Sequence, residues 1–300
     1  MVQKKEKYTI TLAAESLLFP FGNASIPPAH IKEPKVACMV VTTPKYHMLR
    51  AVHVMATWGR HCNWIVFLTS KRDPLLREVI ITPSEDENYD RLWWKVSHGF
   101  KMVHSKYLDM ADFFVKADDD TYIVMENLKH FIMAKDLMGL EEPLYMGLHL
   151  FPLPNYESLK KDLPKGFFSG GNGYILNKAA LDLLVKKGLG PSGDCHQLEE
   201  HHGEDVAMGH CMTSLGAKFV DTDDPDGRHR FVPYLPHVFL PSSHLPVDGS
   251  WMESQMPAGV SLGLQCCSPE LISIHYVPSN IMYLLEYLLY HVRVAGVHGR

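Results

Sequence analysis

Short apolar runs alternate with longer stretches whose apolar positions recur every three or four residues, and this alternation organises the first half of the chain. Val36–Thr43 is such a run, ending at Thr42-Thr43-Pro44, and predicts a buried strand. His47–Gly59 follows with Leu49, Val52, Met55 and Ala56 at helical spacing. Trp64–Ser70 and Val79–Thr82 predict two further strands, and Asp90–Met110 a long helix through Leu92, Trp93, Val96, Phe100, Val103 and Leu108. Phe113–Ala117 is again strand-like, and Met125–Leu137 helical. Strands alternating with helices predict an α/β domain with a mostly parallel central sheet flanked by helices. The second half is less regular. Leu144–Leu150 reads as a strand and Phe151–Gly166 as a loop, and residues 168–177 run from a glycine-rich bend into a strand. Helices are expected over Lys178–Lys187, Glu204–Leu215 and Ser279–Val294, the last capped by Ser279, with a strand at Leu271–Val277. Phe231–Gln265, rich in proline, histidine and serine, is expected to form long loops, and residues 1–34 a stem-like lead-in. The apolar face of Ile281–Val292 reads as core, with a homodimer interface as the alternative.

Parallel sheets place ligands outside the carboxyl ends of their strands. Thr42-Thr43, Ser70 and the three consecutive carboxylates Asp118, Asp119 and Asp120 fall at such ends. Three adjacent negative charges repel one another unless a cation or hydrogen-bond donors compensate. On an extended chain Asp118 and Asp120 point the same way and can share one hard metal ion. The competing reading is a solvated acidic turn with Asp120 capping the next helix. Ser169-Gly170-Gly171-Asn172-Gly173 allows close backbone approach to a ligand, or makes a tight bend; its spacing excludes a dinucleotide fingerprint. Glu204-Asp205 opens a helix, where acids are favoured by the dipole or serve as a general base. His275 lies in an apolar run, as a core residue or a metal ligand. Trp93-Trp94-Lys95 stacks on and neutralises a nucleotide, or packs.

At 300 residues and 46% hydrophobic the chain can build a sizeable core, and a net charge of −5 gives no reason to expect a nucleic-acid partner. No P-loop and no hydrolase signature occurs. Six cysteines allow complete pairing: Cys195 and Cys211 flank a short segment, and Cys266-Cys267 forms a vicinal bridge or pairs with different partners. With the glycosylation acceptor Asn23-Ala24-Ser25, they favour an oxidising compartment. Thr9–Phe21 is too short and too polar to span a membrane.

Taken in order, Trp94-Lys95, Lys116-Ala-Asp-Asp-Asp-Thr-Tyr122, Ser169-Gly-Gly-x-Gly-Tyr174, Glu204-Asp205 with Gly209-x-Cys211, Cys266-Cys267 and Ser273-x-His-Tyr-Val277 resemble the β1,3-glycosyltransferases of family GT31. The resemblance, from about Val36 to Arg293, is nearest to the core 1 β1,3-galactosyltransferase branch, which the C-terminal Met282–Arg293 segment also resembles. It implies a GT-A glycosyltransferase fold over residues 35–300, with a donor half to about 150 and an acceptor half beyond it. It implies UDP-galactose as donor, GalNAc α-linked to Ser or Thr of a glycoprotein as acceptor, and Mn2+. By the same resemblance Asp118, Asp120 and His275 hold the metal, Asp205 is the base with Glu204 beside it, and Asp119, Thr43, Trp94 and Lys95 contact the donor. Gly170, Gly171 and Tyr276 are expected on the acceptor side. A type II Golgi membrane protein with a lumenal catalytic domain is implied, its anchor lying outside this chain. Two features depart from the branch: Asn172 replaces its usual alanine, and Phe231–Gln265 lacks its aromatic-rich acceptor pattern. The alternatives are another GT31 activity, such as Fringe-like GlcNAc transfer, and a non-catalytic paralogue or chaperone.

Overall fold

Val36–Val41 forms β1, and all six of its side chains are buried. Alternate residues serve opposite faces: Val36, Cys38 and Val40 enter one apolar cluster, and Ala37, Met39 and Val41 the other. A computed structural model of the protein describes residues 32–83, 88–153, 157–193, 195, 203–240, 250–256 and 259–293. Its contacts divide the chain into Met1–Glu33 and Pro34–Arg300, and every strand and helix named below lies in the second unit.

After β1 come α1 (Val52–Ala56), β2 (Trp64–Thr69), β3 (Val79–Ile81), α2 (Leu92–Tyr107), β4 (Phe113–Asp118), β5 (Tyr122–Ile123) and α3 (Met125–Ala134). The second half contributes β6 (Leu144–Gly147), β7 (His149–Leu150), α4 (Glu157–Asp162), β8 (Phe167–Phe168), β9 (Tyr174–Asn177), α5 (Lys178–Leu183) and α6 (Glu204–Ser214). β10 (Lys218–Val220), β11 (Phe231–Val232), α7 (Ser250–Gln255), β12 (Ser273–Ile274) and α8 (Ser279–Tyr290) complete it. The main sheet has the order β10-β6-β9-β4-β1-β2-β3. It is parallel except at β9, which runs against both β4 and β6. That reversal brings the glycine bend before β9 to the edge where β1, β2 and β4 end. A smaller sheet, β11-β12-β5, borders the same edge, with β12 antiparallel to β5. The α/β class and the mostly parallel sheet are therefore as expected.

Several expectations need correction. The segment His47–Gly59 is not one regular helix: a widened turn over His47–Ala51 precedes α1 and a tight turn over Trp58–His61 follows. Of Leu271–Val277 only Ser273–Ile274 pairs as strand, because each partner in that small sheet is itself two residues long. Phe231–Gln265 contains β11 and α7 within its loops. Ser279 does not cap α8; its hydroxyl donates to the Leu49 carbonyl at 2.5 Å. Nor is the outer surface of α8 core. Only Met282 and Glu286, one turn apart, are buried, while Tyr283, Leu284, Tyr287, Leu288 and Leu289 are exposed. Among the described residues no helix is long and apolar enough to cross a membrane.

All six cysteines are bridged, Cys38–Cys62, Cys195–Cys211 and the vicinal Cys266–Cys267. The first ties β1 to the turn before its neighbour β2; the second ties α6 to the chain ahead of it.

Candidate active site

Strand β4 carries its carboxylates out of the core at the centre of the sheet. Phe113 to Ala117 are buried, Asp118 ends the strand, and Asp119 and Asp120 continue into the turn. The capping alternative fails, because α3 starts only at Met125 and Asp120 bonds elsewhere. Val277 N–H donates to the Asp120 carbonyl at 2.8 Å, and the Thr121 hydroxyl to the Gly171 carbonyl at 2.6 Å. His275 N–H and the Asn172 amide both donate to the Val232 carbonyl, at 3.1 and 2.6 Å. Carboxylate turn, glycine bend and small sheet are thereby fixed to one another.

Ligand atoms of Asp118, Asp120 and His275 all lie within 4.8 Å of one another. Two hard carboxylate oxygens and an imidazole nitrogen are a donor set that fits a divalent ion such as Mg2+ or Mn2+. His275 Nε2 sits 3.3 Å from Asp120 Oδ1. Arg50 Nη1 donates to Asp120 Oδ2 at 2.9 Å and to Asp119 Oδ1 at 3.2 Å. Burial pushes Asp120 up, but the His275 hydrogen bond and the His275 and Arg50 charges together bring it below the usual carboxylate range. Asp119 is nearly enclosed, and burial raises its carboxyl to about 6 despite hydrogen bonds from Thr42, at 2.7 Å, and Arg50.

Facing this group is the start of α6. Asp205 borders the cavity and accepts the Gly170 N–H on Oδ2 at 3.0 Å and the Val206 N–H on Oδ1 at 2.9 Å. Burial raises its pKa, offset by the Gly170 N–H and by the nearby Lys116 charge. Glu204, expected beside it among the catalytic groups, is turned inwards instead. It is 4% exposed, does not line the cavity, lies 3.2 Å from Lys116 Nζ and accepts the Tyr174 hydroxyl.

A cavity of about 530 Å³ joins the two sides and is walled by Asp118, Asp119, Asp120, Asp205 and His275. Of the residues expected to bind donor, Thr43 and Lys95 line it, Lys95 being buried with its ammonium 2.6 Å from the Thr42 carbonyl. Trp94 does not line it; this side chain on α2 is 45% exposed and stacks on His98. On the far side stand Tyr276, Trp251, Gln255 and Asn172. Tyr276 has φ +53°, a conformation strained for a bulky residue, and stacks against both His275 and Tyr234. Asn172 is fully buried and its Oδ1 lacks a hydrogen-bond partner.

The two glycines read as openings for an acceptor are filled by the chain's own side chains. A Cβ on Gly171 would lie 2.0 Å from His275 Cε1, and one on Gly170 2.7 Å from Glu204 Oε2. Gly171 lines the cavity and Gly170 does not. Sequence reasoning gave no role to Arg50 or Lys116. Arg50 left no readable signal, since its partners are about 70 residues away in sequence. Lys116 did leave one: it is the lone charge inside an otherwise apolar buried run.

Residues 31–225 match the Fringe-like family. A glycoprotein-N-acetylgalactosamine 3-beta-galactosyltransferase 1 of Xenopus laevis is 33% identical over 269 residues, covering 90% of this chain and 70% of that one. The human chondroitin sulfate synthase 3 is 30% identical over 187 residues, 59% of this chain but only 20% of its own. Among solved structures, a galactosyltransferase LgtC in complex with donor and acceptor sugar analogues aligns at 11% identity with a TM-score of 0.46, covering 86% of this chain and 97% of that one. The chain belongs to the Fringe-like family, within glycosyltransferase family 31, as its motifs implied.

Proposed function

We propose that the protein is an inverting, Mn2+-dependent β1,3-galactosyltransferase that moves galactose from UDP-galactose to GalNAc α-linked to Ser or Thr of glycoproteins. The observation that carries this reading is the single cavity walled by the Asp118–Asp120–His275 cluster and by Asp205. The activity named for the Xenopus laevis relative supplies the sugar identities. Three disulfides favour a secretory lumen, here the Golgi.

Asp118, Asp120 and His275 would hold the divalent ion, which when bound neutralises charge on the diphosphate of the leaving UDP. Asp119, braced by Thr42 and Arg50, lies on the donor side with Thr43 and Lys95. Asp205 takes the proton from the acceptor hydroxyl. Burial raises the pKa of its carboxyl, which strengthens it as a base, and the Gly170 N–H and the Lys116 charge limit that rise. The freed oxygen attacks galactose C1 from the face opposite the phosphate. The C1–O bond breaks with both electrons leaving on UDP, the configuration inverts, and no covalent enzyme intermediate forms. Tyr276 and Trp251 offer aromatic surfaces on the acceptor side.

Incubating the protein with UDP-galactose, Mn2+ and an α-GalNAc glycopeptide, and weighing the product, tests the reading. One added hexose is expected, with release of UDP. Turnover of UDP-GlcNAc in place of UDP-galactose would move the protein to another GT31 activity. Mn2+-dependent UDP binding without turnover on any acceptor would make it a non-catalytic relative.

A further inference from the structure

Lys116 is a lysine where the strand calls for an apolar side chain. Alternation along β4 puts residue 116 on the same face as Phe114, against α2 and α6, and Lys116 is 1% exposed. Its ammonium has three hydrogens and three acceptors: Asp118 Oδ1 at 2.8 Å, the Gly170 carbonyl at 3.1 Å and Glu204 Oε2 at 3.2 Å. These acceptors come from three separate segments, the end of β4, the glycine bend and the first turn of α6. Replacing a buried ion pair by apolar groups is often neutral or stabilising, so stability alone does not explain the lysine.

The connections continue beyond the ammonium. The Gly170 residue whose carbonyl Lys116 binds gives its N–H to Asp205 Oδ2. One end of the brace therefore holds an oxygen of Asp118, leaving the other oxygen free for a cation. The other end reaches Asp205 through Gly170 and fixes the start of α6 through Glu204. Glu204 stays out of the cavity, so what it meets is Lys116 and Tyr174. We propose that Lys116 is a positioning residue that sets the metal-side carboxylate Asp118 and the base-side carboxylate Asp205 relative to each other, with Glu204 as its buried counter-charge. The proposal rests on the reading of those two carboxylates given above.

Lys116→Met keeps most of the length of the side chain and removes the brace. Because it leaves Glu204 buried without its counter-charge, the double variant Lys116→Met/Glu204→Leu is made alongside, replacing the whole ion pair by apolar groups. Calorimetric titration of the folded proteins with Mn2+ and UDP reads affinity without turnover. Both variants are expected to bind Mn2+–UDP about 10–100-fold more weakly than wild type, the usual effect of losing a group that orients a metal ligand. Single-turnover transfer by the bound complex is expected to fall as well. A double variant that folds, binds Mn2+–UDP within about twofold of wild type and transfers at the wild-type rate overturns the proposal. Failure of wild type to transfer galactose defeats the functional reading instead, and the comparison of Mn2+–UDP affinities still decides the role of Lys116.

Discussion

Gly171 shows how closely this site is packed around its own side chains. A Cβ there would meet three atoms of the His275 ring, all within 2.6 Å, so the ring must move to admit even a methyl group. Gly171→Ala is expected to lose about 1–3 kcal/mol of stability through overpacking, and about tenfold or more in Mn2+ affinity as His275 is displaced. Denaturant unfolding and Mn2+ titration check both. In a His275→Ala background the same substitution should become nearly harmless to stability, because the clash is gone; a full penalty there would show that the glycine serves something else. Asp205→Asn is nearly isosteric and keeps an oxygen for the Gly170 N–H. It is expected to lower transfer by about 10²–10⁴-fold, the range of a positioned base, while UDP–Mn2+ binding stays near wild type. Wild-type transfer by that variant would remove Asp205 from the mechanism.

At the scale of elements, α8 is held by polar anchors as well as by the buried Met282. Glu286 reaches His61 at 2.8 Å and the Tyr122 hydroxyl at 2.9 Å, while Tyr290 stacks on His61 and donates to Glu126. Burial pushes His61 down, but Glu126 and Glu286 outweigh it and raise the imidazole to about 9. An unfolded histidine titrates near about 6.5. The anchor's contribution is therefore full below that pH and is lost as pH rises through about 9. Urea unfolding between pH 6 and 9.5 should show wild type losing about 1–3 kcal/mol more than His61→Gln over that range; parallel curves would exclude this role. The elements themselves were largely legible. Runs such as Phe113–Ala117 and the long period of Asp90–Met110 carry a burial pattern that survives into β4 and α2. What the sequence hid was decided across the fold. Periodicity marks α8 as apolar on most sides but cannot say that only Met282 and Glu286 are buried. The short pairings of β5, β11 and β12 depend on one another and not on local propensity.

Over the whole molecule, the candidate metal site is assembled from distant parts of the chain. Asp118 ends a strand at the centre of the main sheet and Asp120 lies in the turn after it, whereas His275 follows β12 in the small sheet. The ligand types were legible as chemistry, but their meeting was legible only through the order of motifs, since no local pattern links residue 120 to residue 275. Arg50 was invisible for the same reason, and Trp94 illustrates the reverse: beside Lys95 in sequence, it turns to the outside of α2 because one helical step changes the face. A site that joins separate segments couples binding to the stability of the unit containing them. An ion that binds only the folded state stabilises it by RT ln(1 + [L]/Kd), about 2.7 kcal/mol at a hundredfold excess over Kd. For a unit of this size that corresponds to roughly 5 °C in melting temperature. Mn2+ is therefore expected to raise the melting temperature by several degrees, Mn2+ with UDP by more, and a chelator to reverse both. His275→Ala should keep most of the apo stability, because the ring is partly exposed at the cavity wall, yet lose the Mn2+-dependent rise. If His275→Ala gains as much from Mn2+ as wild type does, the ion is held by the carboxylates alone and the small sheet has no part in the metal site.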